Sequence, residues 1–243
     1  MTGRFENKIA VISGASRGIG REVALALAKE GAIIVANARR DEPLVELAKD
    51  VKTLGGQILT VRGDVTREAD VKNLYDEVVK TYGRCDILVN NVGVGKYGPV
   101  KDFSIEDYDW IMTTNMRSTF LLTRMFLPAM LDQKSGSIVF ISSVAGLRGL
   151  PNEAVYCASK SAQVAFAQSL DYEARPQGVK VSVIAPGATK TDFAFGTGRT
   201  PGDPKLDEYS DPESVAEAVV FVLSQPDKTR VMLVSMRPMI EAL

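Results

Sequence analysis

Among its 243 residues the sequence has no histidine, only two cysteines and a single tryptophan. Without histidine, Ser-His-Asp and Cys-His nucleophiles and His-ligated metal centres are excluded within one subunit. Proton transfer near neutrality then falls to carboxylates, lysines or tyrosines with shifted pKa values. Cys85 and Cys157 have neither metal-ligand spacing nor the density of a disulfide framework. No apolar run approaches the ~18 residues that would cross a bilayer. The stretch Met1 to Lys8 is polar and charged, unlike a secretory signal. Net charge is nearly absent as well: 29 basic against 30 acidic residues leave −1, a field that would draw in neither nucleic acid nor an anionic membrane. These absences point to a soluble cytoplasmic protein, expected as one domain over residues 1–243, with no nucleic-acid, membrane or metal partner.

What is present is an alternation of β-branched runs and amphipathic stretches from end to end. Lys8–Ser13, Ile33–Ala36, Gln57–Arg62 and Asp86–Asn90 are predicted strands, followed by Ser137–Ser142, Val179–Ala185 and Val231–Ser235. Between them lie predicted helices at Ile19–Glu30, Glu42–Leu54, Arg67–Tyr82, Ile105–Gln133, Ala154–Arg175 and Pro212–Gln225. The long one is expected to bend at Pro128, which cannot donate a backbone bond. This order predicts an α/β fold: a Rossmann-type, doubly wound parallel sheet of about seven strands with helices on both faces. Thr191–Asp211, rich in Gly, Pro and Asp, is the long irregular stretch and is expected to act as a substrate lid.

Three polar residues carry a chemistry. Tyr156 and Lys160 stand four apart on a predicted helix and so share a face. A nearby cation favours a phenolate over a phenol, which makes the pair a proton donor and acceptor usable near neutrality. Ser143, if it reaches the same point, would hold a carbonyl or alcohol oxygen.

A nucleotide site is read at the first strand end, Ser13-Gly14-Ala15-Ser16-Arg17-Gly18-Ile19-Gly20. Glycines there let backbone N–H groups approach a pyrophosphate at the start of a helix. The G-x-x-x-G-x-G spacing differs from the G-x-G-x-x-G of larger dehydrogenases and from a Walker loop. At the second strand end an acid would bind a ribose diol; this chain has Ala38-Arg39-Arg40, with Arg17 able to join them. Guanidinium groups fork onto phosphate, so NADP(H) is the expected cofactor. A carboxylate is also what an S-adenosylmethionine site of the methyltransferase type would want there, and Ala38-Arg39 argues against it.

Taken together, the chain resembles the short-chain dehydrogenase/reductases over almost its whole length. The matching residues are Gly14, Gly18 and Gly20; Asp64-Val65; Asn90-Asn91-Val92-Gly93; Asn115; Ser143, Tyr156 and Lys160; Pro186-Gly187; and Thr191. The resemblance implies that Asp64 and the Val65 backbone meet the adenine, that Asn91 lies along the adenosine ribose and that Asn90 ties strands together. It implies that Lys160 bonds the nicotinamide ribose, that Asn115 holds a water passing protons toward Lys160, and that Pro186 to Thr191 embraces the carboxamide. The activity so implied is NADPH-dependent reduction of a ketone or aldehyde carbonyl, reversible in principle, with Tyr156 as acid and base. Reduction of 3-oxoacyl-[acyl-carrier-protein] and oxidation of a 3-hydroxy acid or alcohol are the alternatives. A dinucleotide-binding regulator without catalysis would have little reason to keep Ser143, Tyr156, Lys160 and Asn115 together. The expected partner is a small-molecule carbonyl or alcohol, and the expected assembly a homodimer or homotetramer.

Some positions depart from the family pattern. Ser13 stands where threonine is usual, Val92 where alanine is common, and Met116-Arg117-Ser118 lacks a frequent glycine after Asn115. The last predicted strand runs from Val231 into Arg237-Pro238 without the glycine-rich tail of the ketoacyl-carrier-protein reductases, which is similar to a subset of the family acting on small carbonyls and hydroxy acids. Ala154, Ala158, Ser161, Ala162 and Ala165 form a small-residue helix face suited to a cofactor or a subunit contact. Cys157 points about 100° from Tyr156 and is read as packing. Arg148, Phe193 and Phe195 are candidate substrate contacts, and Trp110 is read as structural.

Overall fold

A computed structural model describes residues 3–241; the ends of the expected domain, residues 1–2 and 242–243, lie outside the described residues. The strands are β1 (Ile9–Ser13), β2 (Ile33–Ala38), β3 (Ile58–Arg62), β4 (Ile87–Asn90), β5 (Gly136–Ile141), β6 (Val179–Pro186) and β7 (Leu233–Met236). They form one parallel sheet in the order β3-β2-β1-β4-β5-β6-β7. Successive strand side chains point to opposite faces, so β1 divides its residues between two layers. Ala10 and Ile12 pack with Val23 and Leu27 of α1 (Gly18–Lys29), Leu44 of α2 (Asp41–Thr53) and Val219 of α7 (Pro212–Leu223). Ile9 and Val11 pack with Leu74 of α3 (Glu68–Tyr82), Phe126 of α5 (Ser118–Asp132) and Leu170 of α6 (Ala154–Ala174). Burial on both faces is why the central strands β1, β2, β4, β5 and β6 read as continuous apolar runs rather than alternating ones.

The strand order reverses direction between β1 and β4. In open α/β sheets the crevice at the carboxyl ends of such a pair is where ligands bind. Expected element ends agree with the observed ones within a few residues, with one exception of kind. The single helix expected over Ile105–Gln133 is two: α4 (Ile105–Met112) and α5, joined by a π-helical turn at Thr113–Arg117. Pro128 stays inside α5 and is not where the helix is interrupted. The interruption centres on Asn115, whose side chain accepts from the Val94 N–H (2.7 Å) and donates to the Val94 carbonyl (2.9 Å). To make those bonds the backbone takes an extra residue, and Ser118 N–H reaches back to the Thr113 carbonyl.

Candidate active site

A cleft of about 680 Å³ opens at the carboxyl ends of β1 and β4, a volume suited to a small molecule or cofactor. Its first wall is the turn leaving β1. Gly14 takes φ +65°, a left-handed conformation that costs an ordinary residue strain. Gly20 sits under the turn, where a Cβ would come within 2.4 Å of both the Gly14 carbonyl oxygen and Asn91 Nδ2. The helix that follows, α1, has no acidic residue in its first turn, whereas α2 begins with Asp41 and Glu42 and α3 with Glu68 and Asp70; like them, it has no side-chain cap. Its positive end and unpaired N–H groups are therefore left for an anion, as a pyrophosphate requires. Ser16, Arg17, Gly18 and Ile19 line the cleft beside Gly14.

Farther along, Ala38 and Arg39 at the end of β2 line the same cleft, and Arg40 does not. Arg39 is exposed, and Arg17 lies 3.4 Å from Asp192 in an ion pair whose members are both more than half exposed. Asp64 and Val65 follow β3 and also line the cleft. The Asp64 carboxylate is held by the Thr66 N–H (3.0 Å) and hydroxyl (2.8 Å). These residues fit a dinucleotide with a 2′-phosphate: glycines where backbone must approach closely, an uncapped helix start, and guanidinium in place of a carboxylate.

The floor of the cleft holds the predicted trio. Ser143 is extended at the end of β5, 8% exposed, and its Oγ accepts from the Ala145 N–H at 3.1 Å. Tyr156 (6% exposed) and Lys160 (3%) stand on the buried face of α6. Burial pushes the Tyr156 phenol up, and neighbouring Tyr97 adds to this, while a hydrogen bond with the Ser143 side chain works in the opposite sense. Lys160 does not counter the rise. Its Nζ is 6.0 Å from the Tyr156 ring centroid and donates instead to the Ile141 carbonyl and to Gln163 Oε1, each at 3.0 Å. Burial also pushes the Lys160 ammonium down to about 7. The expected depression of the phenol by its helix neighbour is thus outweighed by desolvation of both groups.

Pro186, Gly187 and Thr191 form the opposite wall, and Thr191 crosses to the glycine turn, with its methyl 3.1 Å from where a Gly18 Cβ would stand. Phe193 packs on Tyr156 with ring centroids 5.7 Å apart and lines the cleft. Neither Phe195 nor Arg148 lines it, and Trp110, read from sequence as structural, does. Gly20 and Asn115 lie behind the wall rather than on it.

Of the two asparagines at the end of β4, it is Asn91, which also lines the cleft, that makes the tie between strands. Asn91, expected along a ribose, ties β1 to β4: its Nδ2 donates to the carbonyls of Ser13 (3.0 Å) and Gly14 (3.2 Å). Asn90, expected as that tie, instead donates to Thr123 Oγ1 of α5 at 3.3 Å, because adjacent strand residues face opposite layers. The water expected on Asn115 also meets a different arrangement. The Asn115 carbonyl oxygen already accepts from Thr119 Oγ1 (2.7 Å) and Gln163 Nε2 (2.8 Å).

Among the cleft-lining groups that sequence reading missed, four bear on the chemistry of the floor and its surroundings. Tyr97 stacks edge-on to Tyr156 at 6.0 Å, and Glu153 starts the helix of Tyr156. Arg199 sits between the rings of Phe193 and Tyr209 and donates to the Thr189 carbonyl at 2.9 Å. Glu241 accepts from the Ala188 N–H at 2.7 Å. Glu153, three residues before Tyr156, was within reach of helical spacing; the other three come from distant segments with no local signature.

Known proteins agree with this arrangement. Residues 8–200 match the family model described as short chain dehydrogenase. A 3-oxoacyl-[acyl-carrier-protein] reductase of Thermotoga maritima is 32% identical over 229 residues, covering 91% of this chain and 92% of its own. An alcohol dehydrogenase of the archaeon Thermococcus sibiricus, solved with 5-hydroxy-NADP, is similar at TM-score 0.90 and 28% identity, covering 98% and 99%. A short chain dehydrogenase/reductase of Burkholderia phymatum, solved with NAD, is similar at TM-score 0.86 and 27% identity, covering 96% and 89%. With the family model, the relative and the sheet order in agreement, the chain belongs to the short-chain dehydrogenase/reductase family of oxidoreductases.

Proposed function

We propose that the protein is an NADP(H)-dependent oxidoreductase that interconverts a ketone or aldehyde carbonyl and the matching alcohol on a small molecule. The observation that carries this reading is a single cleft with Tyr156 and Ser143 on its floor and Arg39 at its far end, where a diol-binding site would have a carboxylate. When bound, NADPH supplies the hydride that the carbonyl carbon takes. Tyr156 gives its proton to the carbonyl oxygen, and burial, which keeps the phenol protonated, suits that direction. The Ser143 hydroxyl donates to the same oxygen as negative charge develops on it.

The chain's other residues hold the cofactor. Gly14, Ser16, Gly18 and Ile19 offer backbone to the pyrophosphate over Gly20, and Arg17 with Arg39 takes the 2′-phosphate. Asp64 and Val65 meet the adenine, Asn91 walls the ribose next to it, and Lys160 bonds the nicotinamide ribose. Pro186, Gly187 and Thr191 orient the carboxamide, and Asn115 braces the floor from behind. Residues 191–211 act as the lid. Ala154, Ala158, Ser161 and Ala165 are exposed on α6 and offer a close-packing face for a homodimer or homotetramer in the cytoplasm. Solved relatives carry either NADP or NAD, so the arginines are what favour NADP here.

A second reading, reduction of 3-oxoacyl thioesters, is favoured by the Thermotoga maritima relative. One experiment tests both: NADPH oxidation with a panel of 3-oxoacyl thioesters, diketones, cyclic ketones and keto acids. Oxidation by any of them supports the first reading. Oxidation only by thioesters selects the second. NADPH binding without turnover of any of them contradicts both.

A further inference from the structure

Lys160 and Gln163 are three apart on α6, on one face of the helix. Gln163 is wholly buried, as are Asn115 and, to within 1%, Thr119. The orientation of the Gln163 amide follows from its neighbours. One end faces the Asn115 carbonyl oxygen at 2.8 Å, which has no hydrogen to give, so that end is the nitrogen. The other end, necessarily the oxygen, faces Lys160 Nζ at 3.0 Å. The nitrogen's second hydrogen goes to Thr119 Oγ1 at 2.7 Å, and the Thr119 hydroxyl donates in turn to the Asn115 carbonyl at 2.7 Å. Every polar atom of the amide is thereby used.

We infer that Gln163 is a positioning residue for Lys160: its amide ties the ammonium to the Asn115 carbonyl, filling the place otherwise expected for a proton-passing water. The inference rests on the reading of Lys160 as a cofactor-binding residue. Water accepts and donates through one oxygen and can hand a proton along; a neutral amide accepts at oxygen and donates at nitrogen and does not. The path from Lys160 toward Asn115 therefore ends at Gln163, and the Tyr156 proton is replenished from the cleft side. The Lys160 ammonium has three donors. Two are spent on Ile141 and Gln163, and the third is left near Gly93, where a Cβ would stand 3.2 Å from Nζ. Gly93 lines the cleft, so Gln163 leaves one N–H for a ligand there.

The tie also acts on charge. Burial disfavours the ammonium, and the carbonyl oxygens of Ile141 and Gln163 are what oppose that cost. Tyr156 is the titratable group that faces Lys160 from its own helix. The elements packed against it present Ile141 from β5, Gly93 after β4, and Asn115 and Thr119 from the π turn and α5, none of them titratable. Losing the Gln163 oxygen should lower the Lys160 pKa, and a carboxylate there should raise it.

The test is an NMR titration of the lysine ε-carbon in the full chain, with the Lys160 signal assigned by its disappearance in Lys160→Met. Gln163→Met should move the Lys160 midpoint down by about one pH unit or more. Gln163→Glu, similar in size, should move it up, and Thr119→Val should leave it within a few tenths. Shifts of the same sign in both Gln163 variants, or none in either, would overturn the inference. If Gln163→Met does not fold, the sign of the Gln163→Glu shift decides alone. NADPH titration at pH 8 separates the underlying reading: affinity should drop about tenfold in Gln163→Met. Opposite NMR shifts with unchanged NADPH affinity would leave the tie standing and remove Lys160 from the cofactor site.

Discussion

Replacing Arg39 by aspartate should invert cofactor preference, and the structure sets the size of the effect. Arg39 is exposed at the cleft rim. Hydrogen bonds to charged groups contribute ~1.5–3 kcal/mol, and an exposed site belongs at the low end of that range. A carboxylate in its place adds repulsion of roughly 1–2 kcal/mol from a dianionic phosphate about 5 Å away in water. The combined loss of about 3 kcal/mol corresponds to a ~100-fold weaker NADPH complex. Arg17 limits the loss, because its pairing with Asp192 is an exposed one at 3.4 Å and little is needed to turn it toward the phosphate. NADH, whose diol a carboxylate can accept from, should gain about tenfold, so the ratio of the two affinities moves by about three orders of magnitude. Fluorescence titration of both cofactors at low and high salt reads this directly, and the NADPH advantage of the unaltered chain should shrink as salt screens it. An affinity ratio within threefold of the unaltered protein would refute the reasoning and put the phosphate elsewhere.

Further outcomes follow from the packing around the site. Gly20→Ala gains about 1 kcal/mol of helix propensity. It also forces a Cβ to within 2.4 Å of the Gly14 carbonyl, a backbone contact that cannot give way and outweighs the gain. The melting temperature should fall by a few degrees and NADPH affinity by about tenfold, and an unchanged melt and affinity would show that the turn has slack. Gly93→Ala puts a Cβ 3.2 Å from Lys160 Nζ and 3.5 Å from Asn115 Oδ1, so turnover should drop by roughly 10- to 100-fold with the fold intact by circular dichroism. Lys160 carries a stability signature as well. Its pKa, about 7 when folded against 10.5 for an ordinary lysine, means that the unfolded chain binds more protons between those values. Its contribution to stability should therefore rise between pH 7 and pH 10, its burial cost being fully present below about 7. Urea unfolding of the unaltered chain against Lys160→Met should show a difference that changes in that direction, and a constant difference would contradict the buried-lysine account.

Much of this was legible in the sequence for a physical reason. Val- and Ile-rich runs buried on both faces have a local signature, and so do glycine at φ +65° and a Tyr and Lys one helical turn apart. The π turn at Asn115 was not legible, because it arises from bonds to Val94 made across the fold rather than from a helix breaker such as Pro128. That the strand tie falls to Asn91 rather than Asn90 turns on a one-residue register that a motif does not specify. Gln163 reads in sequence as one more polar residue on a helix. Only the approach of the π turn to α6 shows that it faces inward, wholly buried, with Lys160 and Asn115 on its two ends. Arg199 and Glu241 likewise reach the cleft from the irregular stretch and the chain's last described residue.

The central claim is that the Tyr156 phenol moves the proton in a cleft that binds NADPH independently of it. Tyr156→Phe removes one oxygen from a buried, ring-packed site and leaves the packing against Tyr97 and Phe193 in place. Measured side by side on the best carbonyl substrate of the panel, it should lose at least 100- to 10,000-fold in turnover. Its NADPH dissociation constant should stay within about twofold, since the phenol contributes little to cofactor binding. Turnover within tenfold of the unaltered enzyme, with NADPH still bound, would contradict the account.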